Sequence, residues 1–152
     1  MPGLPVTRRV VTGLDPQGRS AIVLDGPVPG AARNVQTIWS TDSIPADNGA
    51  GADSIRDFSF DLMHSGASAF IQVRMPPGPG SAPMHATDTI DYITMLSGSV
   101  TILLETGETV LHAGDMCVDR GIVHGWRNDG MEDAVYSVVT IPAHPVGAGR
   151  TV

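Results

Sequence analysis

Three side chains that can do chemistry share one parity in a short stretch of the chain. The segment APMHATDTIDYITMLSG, residues 82–98, contains His85, Thr87 and Asp91. In an extended strand, side chains of equal parity point to the same face, so these three are expected to face one common space. An imidazole and a carboxylate placed together can transfer protons or bind a divalent metal ion. The residues alone leave open a metal site, a metal-free acid/base pocket, or the remnant of one.

A second stretch with a histidine follows at a short distance. It reads GDMCVDRGIVHGWRN and contains Gly114, Gly121, His124 and Asn128. Its two glycines indicate turns, and the histidine is followed by a β-like run. In a fold that turns both stretches towards one interior, the two histidines would meet in one pocket.

The two motifs together resemble those of the cupin superfamily. In the first cupin motif a glycine, two histidines, an acid and a second glycine recur, and Gly80, His85, Thr87, Asp91 and Gly98 fall into those places. The second motif ends in G-x2-H-x3-N, matched by Gly121, His124 and Asn128, while Asp119 stands where proline is usual. The resemblance covers residues 56–143 and implies a double-sheet barrel.

The resemblance also implies a ligand set for one divalent metal ion. Carried over by position, the metal ligands and catalytic residues are His85, Asp91 and His124, and Thr87 takes the place of a second histidine in the first motif. A threonine hydroxyl is a poor ligand because it is neutral and weakly donating. Zinc, iron, nickel or manganese are the candidate ions, and a site without metal is the alternative.

Parity also predicts the walls of the pocket. Met95 shares the face of Asp91, and Trp126 shares that of His124. With Thr87, they are predicted to contact an apolar or aromatic substrate. Trp39 is a further candidate wall, although a core position is its alternative. Arg74 and Arg120 are candidates for binding a carboxylate or enolate, since guanidinium offers a bidentate fork.

Three kinds of function are consistent with these residues. The first is a metal-dependent enzyme acting on an apolar, aromatic or polyketide-like molecule by lyase, dehydratase or cyclase chemistry. The second is a non-haem iron dioxygenase, because two imidazoles and one carboxylate form the open facial triad of such enzymes. The third is a ligand-binding or regulatory protein without turnover, which Thr87 favours.

The elements that must position these residues are predicted to be strands. Short runs rich in Val, Ile and Thr alternate with Gly- and Pro-containing turns, among 18 Gly and 12 Pro in 152 residues. This pattern predicts an all-β fold, and the resemblance implies a cupin double-stranded β-helix, or jelly-roll barrel. The alternation of Phe58, Phe60 and Leu62 in DFSFDLM predicts one of the strands.

The chain is expected to form one structural domain with two regions. Residues 1–55 are predicted to form an N-terminal extension, comprising a β-hairpin with its turn at Asp15 to Gly18, a strand near residues 34–40, and a long polar loop over residues 40–55. Residues 56–152 are predicted to form the barrel. A loop of that length is typically a flap over a pocket or a mobile connection.

Composition limits the partners. A net charge of −7 with only nine scattered Lys and Arg residues argues against a nucleic-acid surface, because phosphate binding needs a basic patch. No apolar run approaches the length of a membrane span, and the single Cys117 permits no internal disulfide. The sequence therefore predicts a cytoplasmic protein that binds a small molecule and contacts neither nucleic acid nor membrane. A homodimer is expected, because the strand at residues 34–40 has an edge to cover.

Overall fold

A computed structural model describes residues 6–29, 34–49, 53, 55–65, 68–80 and 82–152. The strands are β1 (Arg8–Leu14), β2 (Ser20–Pro27), β3 (Val35–Ser40), β4 (Ala69–Met75), β5 (Gly78–Pro79), β6 (Thr89–Ser97), β7 (Ser99–Leu104), β8 (Gly107–His112), β9 (Met116–Asp119), β10 (His124–Asn128) and β11 (Ala134–Pro142). One short helix, α1, covers Phe60–Met63. Across these ranges the fold is all-β apart from α1, as predicted.

Two antiparallel sheets enclose the core. One has five strands in the order β3-β4-β11-β6-β9, and the other has four in the order β5-β10-β7-β8. Their facing side chains form one buried cluster that includes Ile71, Ile93, Met95, Tyr136 and Val138. From β4 onwards the chain crosses repeatedly between the two sheets, and among the described strands only β7 and β8 are consecutive within one sheet, which is the jelly-roll arrangement of a double-stranded β-helix. The predicted fold class is confirmed.

The N-terminal hairpin is present where it was predicted. Strands β1 and β2 pair with each other in a separate two-stranded sheet. In their turn, one Asp15 carboxylate oxygen accepts the backbone N–H groups of Gln17 and Arg19, both at 2.9 Å. Gly18 takes a φ of +77°, which only glycine adopts without strain. Within the predicted loop, the described residues 41–49, 53 and 55 form neither strand nor helix, and the other positions lie outside the described residues.

Helix α1 replaces a strand predicted for DFSFDLM. The Ser59 hydroxyl oxygen caps the helix by accepting the Leu62 N–H at 3.0 Å. Leu62 and Met63 are buried, and both follow Phe60 on the helix. An alternation over only a few residues fits one turn of helix as well as a strand, and the cap decides between them. The strand prediction for this run was wrong.

No described helix has the length and apolar character that a membrane span requires.

Candidate functional site

The backbone of the barrel brings His85 and His124 together. Each N–H donates to the carbonyl of the other residue at 2.9 Å, which makes an isolated antiparallel bridge. The two side chains lie side by side on this bridge, with ring centroids 4.7 Å apart. His85 is 7% exposed and His124 is 3% exposed. The prediction that these histidines of separate motifs meet in one place is confirmed.

Both imidazoles are held through the same ring atom. His85 donates from Nδ1 to the carbonyl of Pro83 at 2.7 Å, and His124 donates from Nδ1 to the carbonyl of Ile122 at 2.9 Å. A carbonyl only accepts, so each Nδ1 carries the proton and a neutral ring keeps its lone pair on Nε2. In the described part of the chain no residue bonds either Nε2. The site therefore offers two free Nε2 atoms.

The segment that carries His85 is fixed from outside the barrel as well. Ala86 donates its N–H to the Thr151 hydroxyl oxygen at 3.0 Å and accepts the Thr151 N–H at 2.9 Å. Two residues later, Asp88 donates its N–H to His64 Nε2 at 3.0 Å, and its carboxylate accepts the Arg150 N–H at 2.8 Å. These contacts hold residues 85–88 between α1 and the C-terminal residues.

A line of hydroxyls leads from the site to a buried carboxyl group. The Thr87 and Thr89 hydroxyl oxygens lie 2.9 Å apart, and Thr89 donates to Asp91 Oδ1 at 2.7 Å. Burial is the largest cause that raises the pKa of Asp91, to about 6, and the nearby Asp119 charge adds to it, while the Thr89 hydrogen bond opposes the rise. His85, Thr87 and Asp91 face one interior, as their parity predicted.

Asp119 is the site residue that sequence reasoning missed. It lies on β9 directly opposite Asp91 of β6 and is 3% exposed. Its Oδ1 accepts the Gly121 N–H at 2.9 Å, and its Oδ2 lies 2.8 Å from His124 Nδ1. One sequence signal was available, since Asp119 stands where the resemblance expects proline. Its alternation with the exposed Val118 would also have placed it inward.

The surroundings move the two imidazole pKa values apart. Burial is the largest cause that lowers the pKa of His85, and the neighbouring His124 lowers it further. Burial also acts to lower the pKa of His124, but the Asp119 carboxylate, 2.8 Å from Nδ1, outweighs it and raises the pKa above its ordinary value. The shifts therefore favour the neutral form of His85 and the protonated form of His124, which is the arrangement of a base and an acid.

Gly121 allows the two motifs to approach each other closely. Its φ is +73°, and a Cβ built there would overlap the Thr87 carbonyl oxygen and lie 2.8 Å from the Thr89 carbonyl oxygen. No side chain fits in this space, so the glycine of the second motif is required by the packing of the first.

Comparison with known proteins identifies the fold family. The sequence model of the cupin domain family matches residues 71–141. Phomopsin biosynthesis cluster protein D of Diaporthe leptostromiformis is 31% identical over 139 residues, which cover 84% of this chain and 73% of that protein. The chain belongs to the cupin superfamily.

Other similar proteins were found by sequence and by structure. The cupin-domain-containing oxidoreductase srdD of Neurospora crassa is 28% identical over 136 residues, covering 84% of this cupin and 69% of the relative. A conserved protein with a double-stranded β-helix domain from Klebsiella pneumoniae, known by crystal structure, is 28% identical with a TM-score of 0.46. The match covers 55% of this cupin and 72% of the Klebsiella chain.

The donor set of this cupin does not fit a resident divalent ion. Thr87, in the place of a histidine, is neutral and its hydroxyl is engaged with Thr89. Asp91, the predicted third ligand, has its Oδ1 engaged by the Thr89 hydroxyl at 2.7 Å. Across the described residues, no three His, Cys, Asp or Glu side chains converge as a metal-binding group.

Aromatic rings form the walls on either side of the histidines. Phe60 of α1 contacts the His85 ring edge-on at a centroid distance of 5.1 Å, and Trp126 contacts the His124 ring at 5.8 Å. Trp126 also stacks on Tyr136 at 5.4 Å, and Met95 is 1% exposed in the adjoining core. Trp126 was predicted, whereas Phe60 was missed because its segment was taken for a strand.

The other predicted contacts lie away from the histidines. Arg74 is on the outer face of β4, where it pairs with Asp133 at 3.6 Å. Trp39 lies under the Arg9 guanidinium, 5.9 Å from ring centroid to Cζ, in a groove between the N-terminal hairpin and the sheet. Arg120 is exposed. The structure therefore does not bring Arg74 or Trp39 to the candidate site, and their role as substrate contacts stays a prediction.

Proposed function

We propose that this cupin is a small-molecule enzyme of the lyase, dehydratase or cyclase type that works by proton transfer between its histidines and the substrate. The observation that carries the proposal is the pair of imidazoles with ring centroids 4.7 Å apart, each bound at Nδ1 by a backbone carbonyl. This leaves two Nε2 atoms free, one on a ring that favours the neutral form and one on a ring that favours the protonated form.

Such a pair can carry out an elimination of water. His85 Nε2 accepts a proton from a carbon next to a carbonyl group, and the electrons of that C–H bond form a C=C bond. The neighbouring C–O bond breaks, and His124 Nε2–H protonates the departing hydroxyl, so water leaves. Each histidine ends in the protonation state of the other, and solvent exchange restores both.

The hydroxyl line gives the substrate a polar anchor. Thr87 and Thr89 are each 1% exposed. Because Thr89 donates its proton to the Asp91 carboxyl group, Thr87 donates to Thr89 and its oxygen is left to accept. A substrate hydroxyl that donates to the Thr87 oxygen would be held at a fixed position relative to both Nε2 atoms.

The walls favour an apolar, planar substrate. Phe60 and Trp126 flank the histidines, and the two arginines considered as carboxylate binders lie elsewhere or are exposed. Apolar walls with a few convergent polar groups are typical of sites for small organic molecules. Relatives are named as biosynthesis cluster proteins, which supports a substrate from specialised metabolism.

Hydrogen exchange at carbon tests the proposal without knowledge of the product. We would incubate the protein in D2O with a panel of aromatic β-hydroxy and β-keto carbonyl compounds, with chelator present, and measure deuterium uptake and water loss by mass spectrometry. Wild type and the exposed-site control His112→Ala are expected to be active, whereas His85→Ala and His124→Ala lose at least about 100-fold. Binding without exchange or water loss would instead support the ligand-binding alternative.

An oxidoreductase is the second candidate. Several relatives are named cupin-domain-containing oxidoreductases, including srdD and srdB of Neurospora crassa and fogC of Aspergillus ruber. Two free Nε2 atoms could contribute to a metal site if the substrate supplied further ligands. Stoichiometric iron in protein purified without chelator, together with substrate-dependent oxygen consumption, would favour this candidate over proton transfer.

A further inference from the structure

Asp119 is a buried carboxylate that the proposed proton transfer does not use. Its Oδ1 is satisfied by the Gly121 N–H, but its Oδ2 has no hydrogen-bond partner in the described structure, although it is fully buried. The nitrogen beside it is His124 Nδ1, 2.8 Å away. A buried carboxylate oxygen without a donor is unfavourable, so this contact needs a physical reason.

The Nδ1 proton of His124 supplies that reason. The N–H bond points towards the Ile122 carbonyl at 2.9 Å, and Asp119 Oδ2 lies equally near but off that direction. A small rotation of the ring would share the proton between the two acceptors, and a carboxylate is the stronger of them. His85 has the same carbonyl contact, to Pro83, but no carboxylate of the described residues forms an ion pair with it. Asp119 thus distinguishes the two imidazoles.

We infer that Asp119 is a positioning residue that holds the proton of His124 on Nδ1 and fixes the ring so that Nε2 remains the reactive atom. The catalytic use of this positioning rests on the proposed function. The tautomer itself does not, because it can be measured without turnover. Two acceptors on one Nδ1 disfavour the alternative tautomer, in which a lone pair on Nδ1 would face both oxygens. A carboxylate behind an imidazole plays this part in other acid/base sites.

The variant Asp119→Asn separates this role from a structural one. The asparagine Oδ1 can still accept the Gly121 N–H, so its amide nitrogen is placed towards His124 Nδ1. A donor there favours a lone pair on Nδ1 and moves the proton to Nε2. A residue that served only the turn at Gly121 would be replaced by asparagine with no change in the histidine ring.

Nuclear magnetic resonance of 15N-histidine-labelled protein gives the readout. Spectra are recorded with chelator at about pH 9, above the ordinary titration range of histidine. Wild type is expected to show His124 as the Nδ1–H tautomer, and Asp119→Asn is expected to convert most of it to Nε2–H. His85, held by Pro83, is the internal control and should keep its tautomer in both proteins. Retention of the Nδ1–H tautomer by His124 in the folded variant would overturn the inference.

A second measurement applies if the variant does not fold. In wild-type protein the His124 Nδ1–H should exchange slowly with water and show a nuclear Overhauser effect to the Asp119 β-protons; absence of both overturns the inference. The outcome is independent of the enzyme assay. A tautomer change in a protein that fails every exchange assay refutes the proposed function alone, whereas an active protein whose tautomer ignores Asp119 refutes only the positioning role.

Discussion

Asp91 and Asp119 lie directly opposite each other on β6 and β9, and both carboxyl groups are buried. Directly opposite side chains in an antiparallel pair are close neighbours, and like charges in such a pair are destabilising. Asp119 is next to His124, whereas among the described residues Asp91 is hydrogen-bonded by the hydroxyl of Thr89. The pKa of Asp91 is accordingly raised, chiefly by burial, to about 6.

We predict that Asp91→Asn stabilises the protein at neutral pH and that this gain disappears in acid. The folded protein keeps a proton on Asp91 that the unfolded chain releases at its ordinary pKa of 3.8. Wild type therefore loses stability as pH rises from about 4 to above 6, and asparagine does not. A shift of this size corresponds to about 2 to 3 kcal/mol at neutral pH.

Urea unfolding with chelator at about pH 4 and about pH 7.5 measures the difference. The exposed Glu105→Gln removes one negative charge without burial and is the matched control, with an expected effect within about 0.5 kcal/mol at either pH. An Asp91→Asn variant no more stable than wild type at the higher pH would refute the prediction.

The two histidines are predicted to differ in what their removal does to stability. His124→Ala leaves Asp119 Oδ2 buried without the nitrogen that lies 2.8 Å from it, whereas His85→Ala frees the carbonyl of Pro83. Because an unpaired buried charge is unfavourable, His124→Ala should be less stable than His85→Ala by about 2 kcal/mol. Urea unfolding provides the comparison, with the exposed His112→Ala as control. Equal effects of the two replacements would contradict this reading of Asp119.

Gly121→Ala is predicted to be strongly destabilising. It combines a positive φ with overlap on the Thr87 and Thr89 carbonyl oxygens, and the two effects together should lower the free energy of unfolding by about 3 kcal/mol. Gly114→Ala is the matched control, because Gly114 has a φ of +93° but nothing within 4 Å of a built Cβ. Gly114→Ala should lower the free energy of unfolding only by the cost of the positive φ, about 1 kcal/mol. Similar thermal unfolding midpoints for the two variants would show that the close approach is unimportant.

A homodimer is predicted to form through the outer face of the five-stranded sheet. Phe70, Val139, Tyr92 and Val118 lie in one row across β4, β11, β6 and β9. Three of them are exposed, Phe70 by 41%, Tyr92 by 48% and Val118 by 58%. A two-fold axis through this row would bring the rows of two copies together and bury both. The row carries no charge that would oppose contact between two acidic chains.

Light scattering at micromolar concentration tests the dimer. Wild type is expected to have twice the chain mass, and Val118→Asp is expected to be monomeric. Met131→Asp is the control, since Met131 is 97% exposed but lies in the turn before β11, outside the row. A monomeric wild type, or a dimer unaffected by Val118→Asp, would overturn the prediction.

Local patterns predicted the interior of the barrel well and its contacts between distant segments poorly. The alternation through Asp91, Ile93 and Met95 was sufficient because one face of β6 is buried along its length. Asp119 was missed because its significance depends on Asp91 and His124, which pair with it only through the sheet register. The facing of Trp39 could not be read from parity, because the pairing of β3 with β4 shifts between Thr37 and Trp39.

The mutual bond between the His85 and His124 backbones links the chemistry of this cupin to its folding kinetics. The two residues are 39 positions apart in the chain. Each contributes one N–H donor and one carbonyl acceptor to the bridge that joins them. Neither motif can therefore be complete in a partly folded intermediate that lacks this long-range closure. Recovery of ligand binding after dilution from denaturant should follow the slowest refolding phase, and amide exchange at both positions should slow in that same phase.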